Sequence, residues 1–136
     1  MRTIIFRGKH IEDGKWVYGY LVLSQSGICS IRSIDDFLTY QVESDTIGQF
    51  TGLYDKHGRE IYEWDIARVK NLIGVVTWHP NGYFCLHTRN CKIDEISYTT
   101  IGDLVDYLNR EQYDDGLEVI GNIHENQEFM EGGQEV

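Results

Sequence analysis

Apolar and aromatic positions recur in short runs, each closed by a turn signal after about ten residues, which is the pattern of an antiparallel β protein. Thr3 to Phe6 reads as a first strand. Glu12-Asp13-Gly14-Lys15 then turns the chain into Trp16-Val17-Tyr18-Gly19-Tyr20-Leu21-Val22-Leu23. Gly19 inside that run predicts a bulge or a close approach of another backbone. Ser24 to Gly27 turns into Ile28-Cys29-Ser30-Ile31 as a second hairpin. Residues 35–47 carry no single pattern, with Tyr40-Gln41-Val42 as a possible short strand.

The strongest local signal lies between Gly48 and Ile66. Leu53, Tyr54, Ile61, Tyr62 and Ile66 flank Asp55-Lys56-His57-Gly58. Asp starts such a turn with its side chain and Gly ends it at positive φ, so the stretch predicts a β-hairpin. Asp65 to Lys70 alternates. Asn71-Leu72-Ile73-Gly74 leads into Val75-Val76-Thr77-Trp78, and His79-Pro80-Asn81-Gly82 turns into Tyr83-Phe84-Cys85-Leu86-His87. These elements predict a mainly β (α+β) fold, a small SH3-like barrel or a folded sheet.

One helix is expected near residues 100–110, where Ile101, Leu104, Val105 and Leu108 share a face and Thr100 with Asp103 forms a weak capping box. Leu117 to Ile123 is a last buried strand. No linker, low-complexity tract or repeat divides the chain, which reads as one domain over residues 1–130 with a frayed tail at 131–136.

Composition sharpens this picture mainly through charge. The 136 residues carry a net charge of −10. Residues 1–93 hold 11 Lys/Arg and 10 Asp/Glu, a balance of +1, whereas residues 94–136 hold 1 and 12, a balance of −11. The acidic last third repels nucleic acid and suits a basic protein partner, although a solvated face accounts for a charge run equally well. Asp103, Asp106, Asp114 and Asp115 are the candidate surface residues there. Three cysteines, Cys29, Cys85 and Cys91, cannot all pair within one molecule, and no signal peptide or membrane-length apolar run is present. A cytoplasmic, reducing location is expected.

Candidate chemistry is thin. Asp55, Glu60, Glu63 and Asp65, with His57, have the side chains of a carboxylate–metal hydrolase or nuclease, but a hairpin puts the tip and the end of the returning strand apart at roughly 3.3 Å per residue. Turn formation by Asp55 and local hydrogen bonding by Asp65 explain them as well. Cys85, His87 and Cys91 with His79 lack the paired C-x2-C spacing of zinc sites, and Cys85 with His87 lacks an orienting third group for nucleophilic catalysis. Arg59, Arg68 and Lys70 with Tyr62, Trp64 and Trp78 are the groups a nucleic-acid-binding barrel would use, against 22 acidic and 12 basic residues overall. No phosphate-binding glycine loop, metal or cofactor is expected.

Phe6-Arg7-Gly8-Lys9 with Trp16-Val17-Tyr18-Gly19-Tyr20-Leu21, then Thr46 to Asp55 continuing through Gly58, Glu60-Ile61-Tyr62-Glu63 and Asp65-Ile66, then Glu118 to Ile123 with Glu125-Asn126, stand in order along the chain. In these blocks the sequence resembles the YopX-type family of small proteins encoded by bacteriophages and prophages, mainly of Gram-positive bacteria. The family pattern has Gly before Asp65 and Pro after Asn126. Trp64 and Gln127 stand there instead, and Trp64 is therefore a candidate binding aromatic. The resemblance implies a mostly β protein of phage origin in the host cytoplasm, and it carries over no catalytic residue. The expected function is a non-enzymatic protein-interaction module with a host or phage partner, no membrane association and a possible homo-oligomeric state. The alternatives are the metal-dependent hydrolase or nuclease and the nucleic-acid-binding barrel.

Overall fold

A computed structural model describes residues 2–69, 72–88 and 116–128. The chain divides into two compact units, Met1–Gly52 and Leu53–Val136. The helix expected near residues 100–110, the residues Asp103, Asp106, Asp114 and Asp115, and the tail at 131–136 lie outside the described residues.

In the first unit β1 (Phe6–Lys9), β2 (Trp16–Leu23), β3 (Cys29–Ser33), β4 (Thr39–Gln41) and the start of β5 (Gly48–Tyr54) form an antiparallel sheet in the order β4-β3-β2-β1-β5. A single tight helical turn, Ser44–Thr46, precedes β5. Register follows from the pairs Phe6 with Gly19, Leu21 with Ile31, and Ile31 with Tyr40. Ile5, Ile31, Val42 and Phe50 are its buried apolar residues. Each fully buried side chain of this kind contributes about 1.5–3 kcal/mol.

Two expectations about this unit change. The first strand begins at Phe6 rather than Thr3, because β2 and β5 supply ladder partners only from Phe6 onward. Ile5 still accepts a hydrogen bond at its carbonyl from the Phe50 N–H, at 2.9 Å. The patternless stretch 35–47 resolves into a turn, the short β4 and the helical turn, with Val42 bridging His10 across the ladder.

Leu53 and Tyr54, the last residues of β5, open the second unit and pair with β6 (Glu60–Tyr62) as the central hairpin. Gly58 takes φ +79° and its N–H returns to the Asp55 carbonyl at 3.0 Å, as the turn chemistry predicts. The strands β7 (Asp65–Val69), β8 (Leu72–His79), β9 (Tyr83–Thr88) and β10 (Glu118–Asn122) form a sheet in the order β10-β7-β8-β9. Ile61, Ala67, Val69, Val76, Leu86 and Leu117 make one buried cluster, with Leu53, Phe84 and Val119 against it. The alternation expected of β7 is overridden: Asp65, Ile66, Ala67 and Val69 are all buried and only Arg68 is exposed. β7 sits between β10 and β8, so neither of its long edges meets solvent.

The sheets are antiparallel and open, so the folded-sheet form of the expectation holds and a closed barrel does not. No helix among the described residues is long and apolar enough to cross a membrane.

Gly19 is a close approach rather than a bulge. A Cβ built there would lie inside the van der Waals contact of the Arg32 carbonyl oxygen, which is backbone and cannot swing away. Gly19→Ala should therefore lower stability by about 1–3 kcal/mol through forced separation of β2 and β3. Urea unfolding of the two proteins checks this, and an unchanged midpoint would show that the ladder yields at no cost.

Candidate interaction surface

The sequence Ser33-Ile34-Asp35-Asp36-Phe37-Leu38-Thr39-Tyr40 joins β3 to β4 through side chains suited to capping their own backbone. Ser33 is buried and accepts the Asp35 N–H on its hydroxyl at 3.1 Å. Its carbonyl accepts the Phe37 N–H at 3.0 Å, and its N–H donates to the Leu38 carbonyl at 2.8 Å. Asp36 uses both carboxylate oxygens: Oδ1 accepts the Leu38 N–H at 2.9 Å, and Oδ2 accepts the Tyr40 hydroxyl.

This network holds Phe37 at φ +61°, in the left-handed region where a non-glycine residue pays a steric cost. The side chain gains little burial in exchange. Phe37 is 64% exposed and Leu38 59%, with Ile34 beside them also exposed. Strain that displays an apolar ring to solvent, held by hydrogen bonds from both sides, marks a surface that a partner could cover. Among the described residues, exposed apolar side chains concentrate in this unit, where Tyr20, Val22, Leu23 and Ile28 add to the set.

The phenol of Tyr40 holds the Asp36 carboxyl below the usual carboxylate range, helped by the Leu38 N–H, and the same bond raises the Tyr40 phenol. A depressed carboxyl supports the folded turn above its unfolded pKa and loses that support as pH falls through the folded value. A raised phenol supports it below its unfolded pKa and loses that support as pH rises through the folded value.

The central hairpin carries a different kind of chemistry. Asp55 is buried, and its Oδ1 accepts the N–H groups of His57 and Arg59, each at 2.9 Å, while Oδ2 accepts the Val119 N–H at 3.0 Å. Asp65 is buried too and accepts the Tyr62 N–H at 2.8 Å. Glu60 is exposed and Glu63 half-buried. Among the described residues no three His, Cys, Asp or Glu side chains come together to hold a metal ion. Arg68 at 2.8 Å, His57 at 3.1 Å and Lys56 at 3.5 Å surround the Glu118 carboxylate. The His57 hydrogen bond leads the effects that hold its carboxyl below the usual range. Arg59 also reaches the Val119 carbonyl at 3.3 Å, so two of the cations considered for nucleic acid already serve the chain itself.

Cys85 is buried with its thiol 3.4 Å from the Thr77 hydroxyl, and His87, two residues along β9, is exposed. His79 stacks on Tyr83 at 4.6 Å, and its Nδ1 accepts the Asn81 N–H. Cys91 and Lys70 lie outside the described residues. Trp78 is half-exposed and meets Phe84 edge to face at 4.7 Å.

Trp64 stands at φ +76°, half-buried, with its N–H on the Val76 carbonyl at 2.8 Å and its own carbonyl receiving the Ile123 N–H at 3.1 Å. This left-handed geometry suits the glycine of the family pattern, and here an indole bears it. The Asp36 clamp, the Glu118 cluster and the displayed Phe37 escaped the sequence reading. Ser33 with Asp35 and Asp36 was the available signal for the clamp, since Ser and Asp cap backbone N–H groups two residues on.

Together these features define a small antiparallel β protein whose conspicuous carboxylates fasten its own backbone and whose strained turn presents apolar side chains. The family model described as YopX protein matches residues 5–131, so the chain belongs to the YopX family. No curated protein matches it significantly.

Two outcomes follow. Trp64→Gly should be more stable than Trp64→Ala by about 1 kcal/mol, since both lose the indole and only glycine accepts the left-handed backbone freely. Paired urea melts measure the difference, and equality would mean that the backbone relaxes. In a pH titration read by amide NMR, the Leu38 signal should be constant at neutral pH. It should move below about pH 4 as Asp36 is protonated and again above about pH 10 as Tyr40 ionises. Asp36→Asn should remove the acid step.

Proposed function

We propose that this protein is a non-enzymatic interaction module of phage or prophage origin, working in the host cytoplasm, and that it docks through the turn between β3 and β4. The observation that carries the reading is Phe37, held at positive φ with its ring 64% exposed, next to exposed Leu38 and Ile34. A side chain that costs backbone strain and stays largely exposed adds little stability to the free chain. Inserted in a partner's apolar pocket, it is the kind of aromatic anchor on which interface energy concentrates.

The flanking Asp35 and Asp36 specify the partner further. A pocket rimmed by Lys or Arg complements them, and the surplus of acidic residues in the chain steers a basic partner inward. The occupation of Asp55 by three backbone N–H groups supports the same reading, since a carboxylate engaged in this way has few lone pairs left for a metal or a substrate.

Phe37→Asn separates docking from folding, because Asn tolerates the left-handed region and removes the ring. The variant should melt at or above the temperature of the parent. A protein captured from host or infected-cell lysate by the parent chain, once purified, should bind Phe37→Asn about tenfold or more weakly, the loss expected of an anchor residue. Equal binding by both forms would remove the turn from the interface. A melting-temperature rise with Mg²⁺ or Mn²⁺ would favour the metal-dependent reading instead.

A further inference from the structure

The β2 strand is longer than its partner on one side. Phe6 to Lys9 of β1 cover only Gly19 to Trp16, whereas β3 covers Gly19 to Leu23. The direction of each backbone group is set by the hydrogen bonds around it. Ile34 donates to the Tyr18 carbonyl and Ser24 to the Ile28 carbonyl, so residues 18, 20, 22 and 24 aim their backbone groups at the β3 side. In β3, Ser33 donates to Leu38 and Cys29 receives the Val42 N–H, which turns those residues toward β4 and fits the same parity.

Leu21 and Leu23 therefore aim their N–H and C=O groups at the side where β1 has ended. No strand among the described residues pairs with them there. The side chains along this open edge are Tyr20 at 55% exposure, Val22 at 43% and Leu23 at 66%, with Ile28 exposed across the hairpin. An uncovered β edge is ordinarily blunted by Lys, Pro or a bulge. Tyr20-Leu21-Val22-Leu23-Ser24 has none of these and no Asp, Glu, Lys or Arg.

We infer that this edge is the seam of a homodimer, in which β2 of one copy adds antiparallel to β2 of a second. With the two-fold axis at Val22, Leu21 lies opposite the partner subunit's Leu23, and each such pair exchanges both N–H···O=C bonds. Charge favours a second copy as the occupant. The segment carries no charged side chain, so it meets its own image without a like-charge contact. Two of the other sheet edges are less suited to self-pairing. β4 is three residues long between Asp35, Asp36 and Glu43, and β10 begins at the ion-paired Glu118. The strip is narrow, a few side chains and one strand edge, which sits at the low end of interface sizes and implies a concentration-dependent dimer rather than an obligate one. The inference is independent of docking through Phe37, since it uses the backbone of β2.

Sedimentation equilibrium of the full chain over a concentration series tests it. The parent should pass from monomer to dimer. Leu23→Pro removes only an outward N–H, so the β2–β3 ladder should survive while the dimer is lost. Leu23→Lys, at an exposed position, should weaken association about tenfold by placing cations near each other across the seam. Hydrogen exchange gives a second readout: protection of the Leu21 and Leu23 amides should rise with protein concentration, with no such change at Ile31. A parent that is monomeric throughout, variants that dimerise like the parent, or protection independent of concentration would each overturn the seam. The last result would mean that residues 2–5 cover the edge from within the chain.

Discussion

The carboxylate of Asp55 is the constraint on which the second unit depends. One oxygen receives the N–H groups of His57 and Arg59 and so shapes the hairpin loop, while the other receives the Val119 N–H and attaches that loop to β10. The residues it joins to Val119 are about sixty positions earlier, so this one side chain holds together segments that local propensity cannot bring together. Hydrogen bonds to a buried charge contribute about 1.5–3 kcal/mol each and leave a comparable penalty when one partner is removed. Lys56 adds its own N–H to the Leu117 carbonyl at 2.9 Å, and Glu118 gathers Lys56, His57 and Arg68 around the same junction. Leu117 is thereby placed in the cluster of Ile61, Ala67, Val69, Val76 and Leu86.

The first unit follows another logic. Besides the Lys9 N–H on the Thr46 hydroxyl at 2.9 Å, polar fastenings from Ser33, Asp36 and Tyr40 gather around one turn, and they leave apolar side chains outside. In one unit acidic side chains bury themselves to close the core, and in the other they clamp a turn that presents Phe37 and Leu38. The contrast is one of exposure: the hairpin with the most suggestive charges is occupied by its own backbone, and the plainer segment leaves apolar side chains in solvent.

Much of the architecture was legible because it is written in neighbours. The Asp55 to Gly58 turn, the β2 and β3 hairpin and the last strand each rest on turn chemistry and alternation within a few residues. Gly19 was legible as an exception, though not the identity of what approaches it, the Arg32 carbonyl. The alternation of β7 misled, because burial of a strand's two faces depends on what packs over each of them. The start of β1 at Phe6 was equally hidden, since Thr3 to Phe6 has strand-like residues and only the ladder partners decide where pairing begins. Of the candidate site, the sequence showed Trp64 as a departure from the family pattern, and it offered no sign that Phe37 would bear positive φ.

The sequence by itself determined the β class, the family and the turn at Asp55 to Gly58, because periodicity, turn residues and ordered signatures are local properties of a chain. Only the tertiary structure decided that Asp55 reaches Val119, that Asp36 divides its oxygens between Leu38 and Tyr40, and that β2 outruns β1 to leave Leu21 and Leu23 at an edge. Each of these depends on which distant backbone group arrives at hydrogen-bonding distance. That is a property of the packed chain and not of any segment within it.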